Sequence, residues 1–360
     1  VALLLCLALG LRAESGTCGA NLTWEYANGT LTISGYGDMQ NYTSGSSNRS
    51  PWYSVRTSIV QVTFPADLTS IGDYAFDGCT KLRLVTIPNK VATIGQHAFS
   101  GCSAMTRATL GTNVEIIDES AFESCTSMTT ITMQNKVTSI GKSAFELCKS
   151  LATVTIPGSV ITIGKYSFQE CTSLSEVTIQ EGVKRIEENA FNDCSSLLSV
   201  TLPESLTNIE NKAFRYCSSL VSIVIPSEIK TIEHGTFAHC TSLTSVLLPA
   251  QLQEIGRGAF GDCGFSEIKL PNTINIIDAC AFEDCKKLKS ISIPSNVKEI
   301  SDGTFADCSN LTEVTIPEGV TAIGMAAFAN CNLLTLSLPQ SLQVIDNGGN
   351  TCYYAGTVPA

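Results

Sequence analysis

The sequence predicts a repeat solenoid in which about twelve coils of 23 residues stack through parallel β-strands and short helical turns, after a small β-rich cap. The first observation behind this prediction is a phenylalanine that recurs every 23 residues from Phe76 to Phe328, with one step of 22 between Phe260 and Phe282. The second is a cysteine three residues after each of these phenylalanines. One structural unit is therefore repeated along most of the chain.

These residues are predicted to form a structural column in the core, because every coil places the same position above the one before it. Large apolar side chains stacked in this way are removed from water together. The members of the column are Phe76, Cys79, Phe99, Cys102, Phe122, Cys125, Phe145, Cys148, Phe168, Cys171, Phe191, Cys194, Phe214, Cys217, Phe237, Cys240, Phe260, Cys263, Phe282, Cys285, Phe305, Cys308, Phe328 and Cys331.

One coil shows how the unit is built, and it reads LRLVTIPNKVATIGQHAFSGC from residue 82 to residue 102. Val85 and Ile87 alternate with a polar residue, which is the period of a strand with one buried face. Pro88 ends this strand because proline lacks the N–H that a ladder needs. A second short strand follows, and Gly95 permits a sharp turn after it. Residues 96–99 are too few for an α-helix, so the sequence predicts a helical or 3₁₀ turn.

Composition and charge exclude several classes of partner. Only 7% of residues are aromatic and 15% are charged, which is well below the usual quarter for charged residues. The formal charge is −11, and no basic stripe is present. Nucleic acids and anionic membrane surfaces both require clustered Lys and Arg, so neither is expected as a partner. No cofactor is expected either.

Four segments are predicted. Residues 1–13 form part of a signal peptide, because the run VALLLCLALGL is too short to span a bilayer but fits the apolar region of a leader. A buried strand or helix is the alternative. Residues 14–58 form an N-terminal capping module, and residues 59–346 form the solenoid. Residues 347–360 are a ragged C-terminal end or a truncated cap. No later run is long enough to cross a membrane, so no direct membrane insertion is expected within the chain.

The repeat matches the pattern L-x-x-V-x-I-P-x-x-V-x-x-I-G-x-x-A-F-x-x-C, and in this it resembles the BspA-like leucine-rich repeat family, the treponemal class. The match runs from Ile59 to Ile345, and the segment from Cys18 to Met39 is similar to the N-terminal module of that family. The resemblance implies a cell-surface or secreted adhesin that binds host matrix proteins or other cells. It implies no fixed ligand site.

The repeat is irregular in three places. The coils after Cys263 and Cys331 each lack one residue between the cysteine and the strand, so that Gly264 leads directly to Phe265. A thirteenth coil begins near residue 336 and has Asn350 where phenylalanine is expected.

The cysteine column has two interpretations. Free cysteines that recur on the core side of every coil behave as small apolar residues, and this predicts buried, reduced thiols. Disulfides between adjacent coils are the alternative, because stacked Cα atoms lie near the permitted separation. Metal binding would require paired spacings or nearby histidines, and the chain has only His97, His234 and His239.

The outward column of the first strand is the candidate ligand-binding face. It is threonine in every coil from Thr63 to Thr201 and then changes character. The candidate residues for ligand binding are Thr178, Thr201, Val224, Leu247 and Lys269. Exposed apolar pairs mark interfaces more often than polar rows do, so the two aliphatic residues are the stronger candidates. The alternative is that threonine simply favours a solvated strand.

Asp262, Asp284 and Asp307 share one column, two residues after the repeated phenylalanine. Such a column is more often a solvated acidic edge, so no metal is expected, and a calcium ion held by the stacked carboxylates is the alternative. No catalytic motif or phosphate-binding loop is present, and a uniform solenoid offers no cleft by pattern. The sequence therefore predicts a protein-binding surface protein without enzymatic activity. The alternative is a passive structural spacer or coat protein that displays another domain.

Overall fold

The structure, a computed structural model, describes residues 14–346 as a parallel β-solenoid that follows a small antiparallel sheet. The predicted signal peptide and the predicted C-terminal end lie outside the described residues. In chain order the strands are β1 (Glu14–Gly19), β2 (Leu22–Ala27), β3 (Thr30–Gly35), β4 (Gly37–Asp38), β5 (Gln61–Thr63), β6 (Leu68–Ile71), β7 (Leu84–Thr86), β8 (Thr93–Ile94), β9 (Arg107–Thr109), β10 (Ile116–Ile117), β11 (Thr130–Thr132), β12 (Ser139–Ile140), β13 (Thr153–Ile156), β14 (Thr162–Ile163), β15 (Glu176–Ile179), β16 (Arg185–Ile186), β17 (Ser199–Thr201), β18 (Asn208–Ile209), β19 (Ser222–Val224), β20 (Thr231–Ile232), β21 (Ser245–Leu247), β22 (Glu254–Ile255), β23 (Ile276–Ile277), β24 (Ser290–Ser292), β25 (Glu299–Ile300), β26 (Glu313–Thr315), β27 (Ala322–Ile323), β28 (Thr335–Leu336) and β29 (Val344–Ile345).

Each regular coil contributes one strand to each of two parallel sheets. The main sheet contains the strands that follow the cysteines, in the order β7-β9-β11-β13-β15-β17, then β19-β21, then β24-β26-β28. The side sheet contains the second strand of each coil, running from β4 through the even-numbered strands to β18, then β20-β22-β23 and β25-β27-β29. Equivalent residues of successive coils are paired, as Ile94 is with Ile117. The predicted fold class is confirmed.

The turn between the side sheet and the next main strand differs from the predicted helical or 3₁₀ turn. His97 and Gly101 have φ of 51° and 67°, which a right-handed helix cannot accommodate. The N–H groups of His97 and Phe99 instead donate to the carbonyl oxygens of Glu119 and Ala121 in the next coil, at 2.9 and 2.8 Å. This segment is therefore a chain of turns that pairs with its neighbours and adds to the stacking of the coils.

Position 95 must be glycine, because the backbone of the preceding coil approaches it closely. A Cβ at this position would lie 2.8 Å from the backbone nitrogen of Asp73 and 2.9 Å from the carbonyl oxygen of Ile71. Because both of these atoms belong to the backbone, neither can move aside cheaply.

The repeated phenylalanines form a continuous stack through the solenoid. Phe145, Phe168 and Phe191 are fully buried, and consecutive ring centroids in this part are 5.2 and 5.3 Å apart. Offset stacking at such distances adds about 0.5–1.5 kcal/mol per pair to the burial of the rings. Phe328, at the end of the stack, is partly buried.

The N-terminal residues close the first coil. β1, β2 and β3 form an antiparallel sheet, and β3 pairs in parallel with β5 of the first coil. Trp52 is fully buried and its ring stacks on Phe76 with a centroid distance of 5.5 Å, while Trp24 packs edge-on against it at 5.8 Å. Trp52 thus continues the phenylalanine stack into the N-terminal module. It precedes a short 3₁₀ helix, Tyr53–Ser58, which is the only helix in residues 14–346.

No helix within residues 14–346 is long and apolar enough to pass through a membrane.

Candidate functional site

The outer face of the main sheet carries the predicted threonine column. Thr155, Thr178 and Thr201 are paired in register on β13, β15 and β17. Thr155 and Thr201 are exposed, and Thr178 is half-buried. This part of the face is flat, polar and regular.

The next two coils replace the threonines with aliphatic side chains. Val224 and Leu247 are paired on β19 and β21, and their side chains are 59% and 62% exposed. Leu198 and Val221 lie just before β17 and β19, are 54% and 48% exposed, and are joined by a backbone hydrogen bond of 3.3 Å. We call these four residues the aliphatic patch. The sequence reasoning singled out Val224 and Leu247 but missed the other two.

A signal for Leu198 and Val221 was present in the sequence. They occupy the position before the main strand, which is aliphatic in the first coil at Val60 but polar or small in the five coils that follow it, as at Thr106 and Ser175. Two adjacent aliphatic residues in that column therefore interrupt a polar pattern.

The main sheet is interrupted beside this patch. Residues 266–270 form no strand, although the repeat pattern places Lys269 in the outward column of one. Lys269 is exposed, as expected, but it lies outside the sheet. A groove of about 770 Å³ lies over this part of the face and is lined by residues 267–270 and by residues of β21, β24 and β26. We call this the distal groove.

The missing residue together with the phenylalanine that follows it accounts for the interruption, because the coil after Cys331 also lacks one residue but has Leu333 in this place and still pairs with β26 through β28. Phe265 occupies the place that leucine has in regular coils, one residue closer to the cysteine. It is fully buried and packs edge-on between Phe260 and Phe282, with centroid distances of 6.0 and 6.2 Å. Because the chain after the cysteine is shorter, the residues that follow Phe265 are not brought into register with the neighbouring strands.

β17 and β19 also belong to different sheets, and a further gap in the main sheet lies at the cap, where β5 and β7 belong to different sheets. It forms a proximal groove of about 790 Å³. Val60 and Leu84 beside it are 45% and 53% exposed. Phe64 also lines it and packs edge-on against Phe76, at 5.6 Å. This groove is not predicted by the repeat pattern of the sequence.

The aspartates of the column, Asp262, Asp284 and Asp307, each contact another side chain of the protein. An Oδ atom of Asp262 lies 3.1 Å from Nδ1 of His239, and Asp284 contacts Lys286 at 3.2 Å. Asp307 accepts a hydrogen bond of 2.7 Å from the side-chain amide of Asn330. Within residues 14–346, no group of three or more His, Cys, Asp or Glu side chains is arranged to hold a metal ion.

The recurrence of these aspartates follows from the backbone. Asp262, Asp284 and Asp307 have φ of 55°, 60° and 60°. Asp is among the residues that tolerate this left-handed region best. Leu147 and Tyr216 hold the equivalent position with φ of 61° and 60°, so this backbone conformation favours aspartate without requiring it.

The cysteine column is buried, and the described cysteines are free thiols. Each column thiol from Cys102 to Cys331 donates to a phenylalanine carbonyl oxygen of the preceding coil, as Cys171 does to Phe145 at 3.2 Å. Burial raises the pKa of Cys171 well above its ordinary value. These thiols therefore stay protonated and serve as small core residues with one polar bond each.

We expect a thiol reagent such as dithionitrobenzoate to distinguish Cys280 from the column. Cys280 is half-buried, and burial followed by the neighbouring Glu283 raises its pKa to about 11. Because the thiolate is the reactive form, its modification should be slow at pH 8 and accelerate about 10-fold per pH unit. Below about pH 9, where the chain is expected to stay folded, the column should react only in denaturant. The assay uses a chain with Cys6→Ser and Cys352→Ser, and rapid modification of Cys171 in the native chain would contradict the prediction.

Comparisons with known proteins agree with this architecture. A family model described as a BspA type leucine-rich repeat region, in six copies, matches residues 52–175, 161–289 and 230–354. A solved leucine-rich repeat protein from Bacteroides ovatus is similar over 91% of this chain and 87% of its own, with 26% identity and a TM-score of 0.61. No curated protein sequence matches the chain.

Two further solved structures are similar over most of their length. A leucine-rich repeat protein from Eubacterium ventriosum has 22% identity and a TM-score of 0.50, covering 92% of this chain and 93% of that one. A leucine-rich cell surface protein from Faecalibacterium prausnitzii has 26% identity and a TM-score of 0.47, covering 94% and 95%.

Proposed function

Because the chain belongs to the BspA-type leucine-rich repeat family, we propose that it is a secreted or cell-surface protein that adheres to host matrix proteins or to other cells through its main sheet. Leucine-rich repeat solenoids generally bind proteins and typically have no enzymatic activity. The leader-like sequence of residues 1–13 supports a location outside the cytoplasm.

The observation that carries the proposal is the aliphatic patch. Its four side chains are each about half exposed or more, on a face that is elsewhere mostly Thr, Ser and charged residues, with Leu84 of β7 as a further exposed aliphatic residue near the cap. Solitary exposed aliphatic residues are common on protein surfaces, but a contiguous group on a rigid sheet marks an interface more often. The patch also adjoins the distal groove, because Ser245 and Val246 of β21 line the groove and Leu247 follows them.

The charge of the chain favours protein ligands with basic or neutral surfaces. A formal charge of −11 repels polyanions at long range and accelerates association with cationic partners. Adhesion through the patch therefore combines apolar contact with electrostatic selection.

We expect the double substitution Val224→Ser and Leu247→Ser to weaken binding to a matrix protein by roughly 100-fold. Each aliphatic side chain contributes about 1.5 kcal/mol or more when it is buried in an interface, and the polar replacements forfeit most of this. The measurement is surface plasmon resonance with purified chain over immobilised fibronectin, laminin and collagen.

The matched control is the double substitution Ile116→Ser and Ile161→Ser, which changes two exposed aliphatic residues in the coils of β10 and β14 on the side sheet. It should leave the affinity unchanged. Equal losses in the two double variants would contradict binding through the main sheet. Absence of saturable binding to all three matrix proteins would contradict matrix adhesion and favour the spacer.

A further inference from the structure

We infer that a pocket among the turns of the solenoid binds a sugar that carries one carboxylate or sulfate group and several hydroxyl groups. The pocket is lined by residues of the segments 212–215, 234–239, 257–262 and 280–284, and we call it the turn pocket. Its lining contains no residue of the main sheet, so the inference goes beyond the proposed matrix adhesion and does not depend on it.

The floor of the turn pocket is formed where two successive coils have small residues. Gly235 and Gly258 occupy the same position in these coils, and Ala238 and Gly261 occupy the position three residues later. The N–H of Gly235 donates to the carbonyl oxygen of Arg257 at 2.9 Å, which fixes the two turns to each other. Because none of the four residues has a side chain beyond Cβ, the turns leave a depression of about 290 Å³.

Small residues alone do not define the turn pocket. Gly303 and Ala306 occupy the same positions in a later coil, but their neighbours in that turn are Asp302 and Asp307, which supply no positive charge. The turn pocket differs from that coil in the cations on its walls.

Three cations line the turn pocket and form no ion pair within residues 14–346, namely Lys212, Arg215 and Arg257. Lys212 and Arg257 belong to coils two steps apart, and adjacent coils lie about 4.8 Å from each other, so their backbones are roughly 10 Å apart with Gly235 between them. Lysine and arginine side chains are long enough to reach across this distance. An anionic group above Gly235 can therefore pair with both, and such charge-assisted hydrogen bonds are strong.

Two polar groups of the pocket are held in place by the protein itself. The guanidinium of Arg215 lies 4.6 Å from the ring centroid of Tyr216 and donates a hydrogen bond of 3.2 Å to the tyrosine hydroxyl oxygen. Nδ1 of His234 lies 2.8 Å from the carbonyl oxygen of Arg257, and a carbonyl only accepts, so Nδ1 carries the proton. Nε2 of the neutral ring is then an acceptor, which can receive a hydrogen bond from a ligand hydroxyl.

The carboxylates of the turn pocket select against ligands with several negative charges. Asp262, Glu283 and Asp284 line it, and the contacts of Asp262 with His239 and of Asp284 with Lys286 offset only part of their charge. They would repel the dianion of a phosphate monoester, but they accept hydrogen bonds from hydroxyl groups. A sugar with one anionic group satisfies both sets of side chains, because its anion pairs with the cations and its hydroxyls donate to the carboxylates.

The size of the pocket and the charge of the chain also fit one acidic sugar residue. A volume of about 290 Å³ is at the lower end of the range for small-molecule sites, which suits a single ring. The formal charge of −11 repels polyanions at long range and opposes a singly charged group much less. The expected ligand is therefore an acidic residue at the end of a glycan.

The test measures binding of three fluorescently labelled glycans to the full chain by fluorescence anisotropy. They are sialyllactose, which carries a carboxylate, lactose with a sulfate on its galactose, and unmodified lactose. We expect at least one acidic glycan to bind at least about 10-fold more tightly than lactose, and the tighter of the two identifies the anionic group. The inference is overturned if neither acidic glycan exceeds lactose, or if a phosphoserine peptide binds more tightly than both.

Charge-neutralising variants of the chain test the cations. Lys212→Gln with Arg257→Gln should weaken binding of the acidic glycan by about 10-fold or more and leave binding of lactose unchanged. The matched control, Lys184→Gln with Lys298→Gln, changes the net charge equally at exposed residues outside the turn pocket and should have no effect. Equal losses in the two double variants would show that the glycan responds to net charge and does not bind in the turn pocket.

Cys280 reports whether the ligand lies in the turn pocket, because it lines the wall and is half-buried. In the chain with Cys6→Ser and Cys352→Ser, a saturating acidic glycan should slow alkylation of Cys280 by iodoacetamide at pH 8 at least about 5-fold. Gly258→Asn should reduce both protection and binding, since it adds a side chain to the floor. A Cβ at 258 meets no atom within 4 Å, and Asn189 has the same left-handed backbone with φ of 57°. An unchanged alkylation rate at saturating glycan would place the binding elsewhere and overturn the inference.

Discussion

Raising the pH from 8 to 10 is expected to unfold the chain, because its core contains a column of protonated thiols. Burial raises the pKa of nine of them, including Cys148, whose pKa is about 12. For Cys308 and Cys331, hydrogen bonding between column thiols is the first cause of the raised pKa, and burial is the second for Cys331. In the unfolded chain each cysteine has a pKa of about 8.5.

The sign of the effect follows from proton binding. Below about pH 8.5 both states hold these protons, and the thiols contribute no pH dependence. Above it the unfolded chain releases protons that the folded chain keeps, so the free energy of unfolding falls as the pH rises. Each thiol contributes about 1.4 kcal/mol per pH unit, so eleven together contribute on the order of 15 kcal/mol for each pH unit above about pH 8.5. Most domains have only about 5–15 kcal/mol of stability in total.

The measurement is a series of urea unfolding curves, followed by circular dichroism, between pH 7 and pH 10. The midpoint should be nearly constant up to pH 8 and collapse between about pH 9 and pH 10. A chain with Cys171→Ala and Cys194→Ala is the control: it starts less stable at pH 7 but should lose stability less steeply, by about 1.4 kcal/mol per pH unit for each cysteine removed. A midpoint that does not change between pH 8 and pH 10 would contradict this account.

The features that every coil repeats could be predicted from the sequence. Alternation at Val85 and Ile87, Pro88 after the strand and the recurrent phenylalanines each have one physical cause that acts locally and recurs in most or all of the coils. The turns were harder to predict from the sequence, because their backbone conformation depends on hydrogen bonds to the next coil. One example is the bond from the N–H of Phe99 to the carbonyl oxygen of Ala121. The left-handed backbone conformation of His97 could not be inferred from the residue type at that position in a single coil.

The candidate site was only partly predictable from the sequence, because it lies where the repeat is broken. The sequence showed that one residue is missing after Cys263, but the consequence depends on how Phe265 packs between two coils and how far the following segment is displaced. A deletion in a repeat can be absorbed in a turn or can break a sheet, and side-chain volume decides between these outcomes. Here the large ring is retained in the core, and the sheet opens beside the aliphatic patch.

Substitution of Trp52 by alanine is expected to destabilise the chain by about 3–5 kcal/mol, the range for removing a large buried aromatic side chain. Its indole is fully buried, stacks on Phe76 and donates a hydrogen bond of 2.6 Å from Nε1 to the carbonyl oxygen of Ala75. Removing it leaves a cavity at the first coil and an acceptor without its donor. The urea midpoint at pH 7 measures the loss.

Two further substitutions separate the contributions of Trp52. Trp52→Phe keeps a ring at the end of the phenylalanine stack and loses the Ala75 bond, so it should cost only about 1–3 kcal/mol. Tyr36→Ala removes a 59% exposed aromatic residue from the same module and should have little effect. Stacked coils share their stability with their neighbours, so loss of the cap should unfold the coils nearest Phe76 first. If Trp52→Ala and Tyr36→Ala have equal midpoints, the N-terminal module does not stabilise the solenoid through this indole.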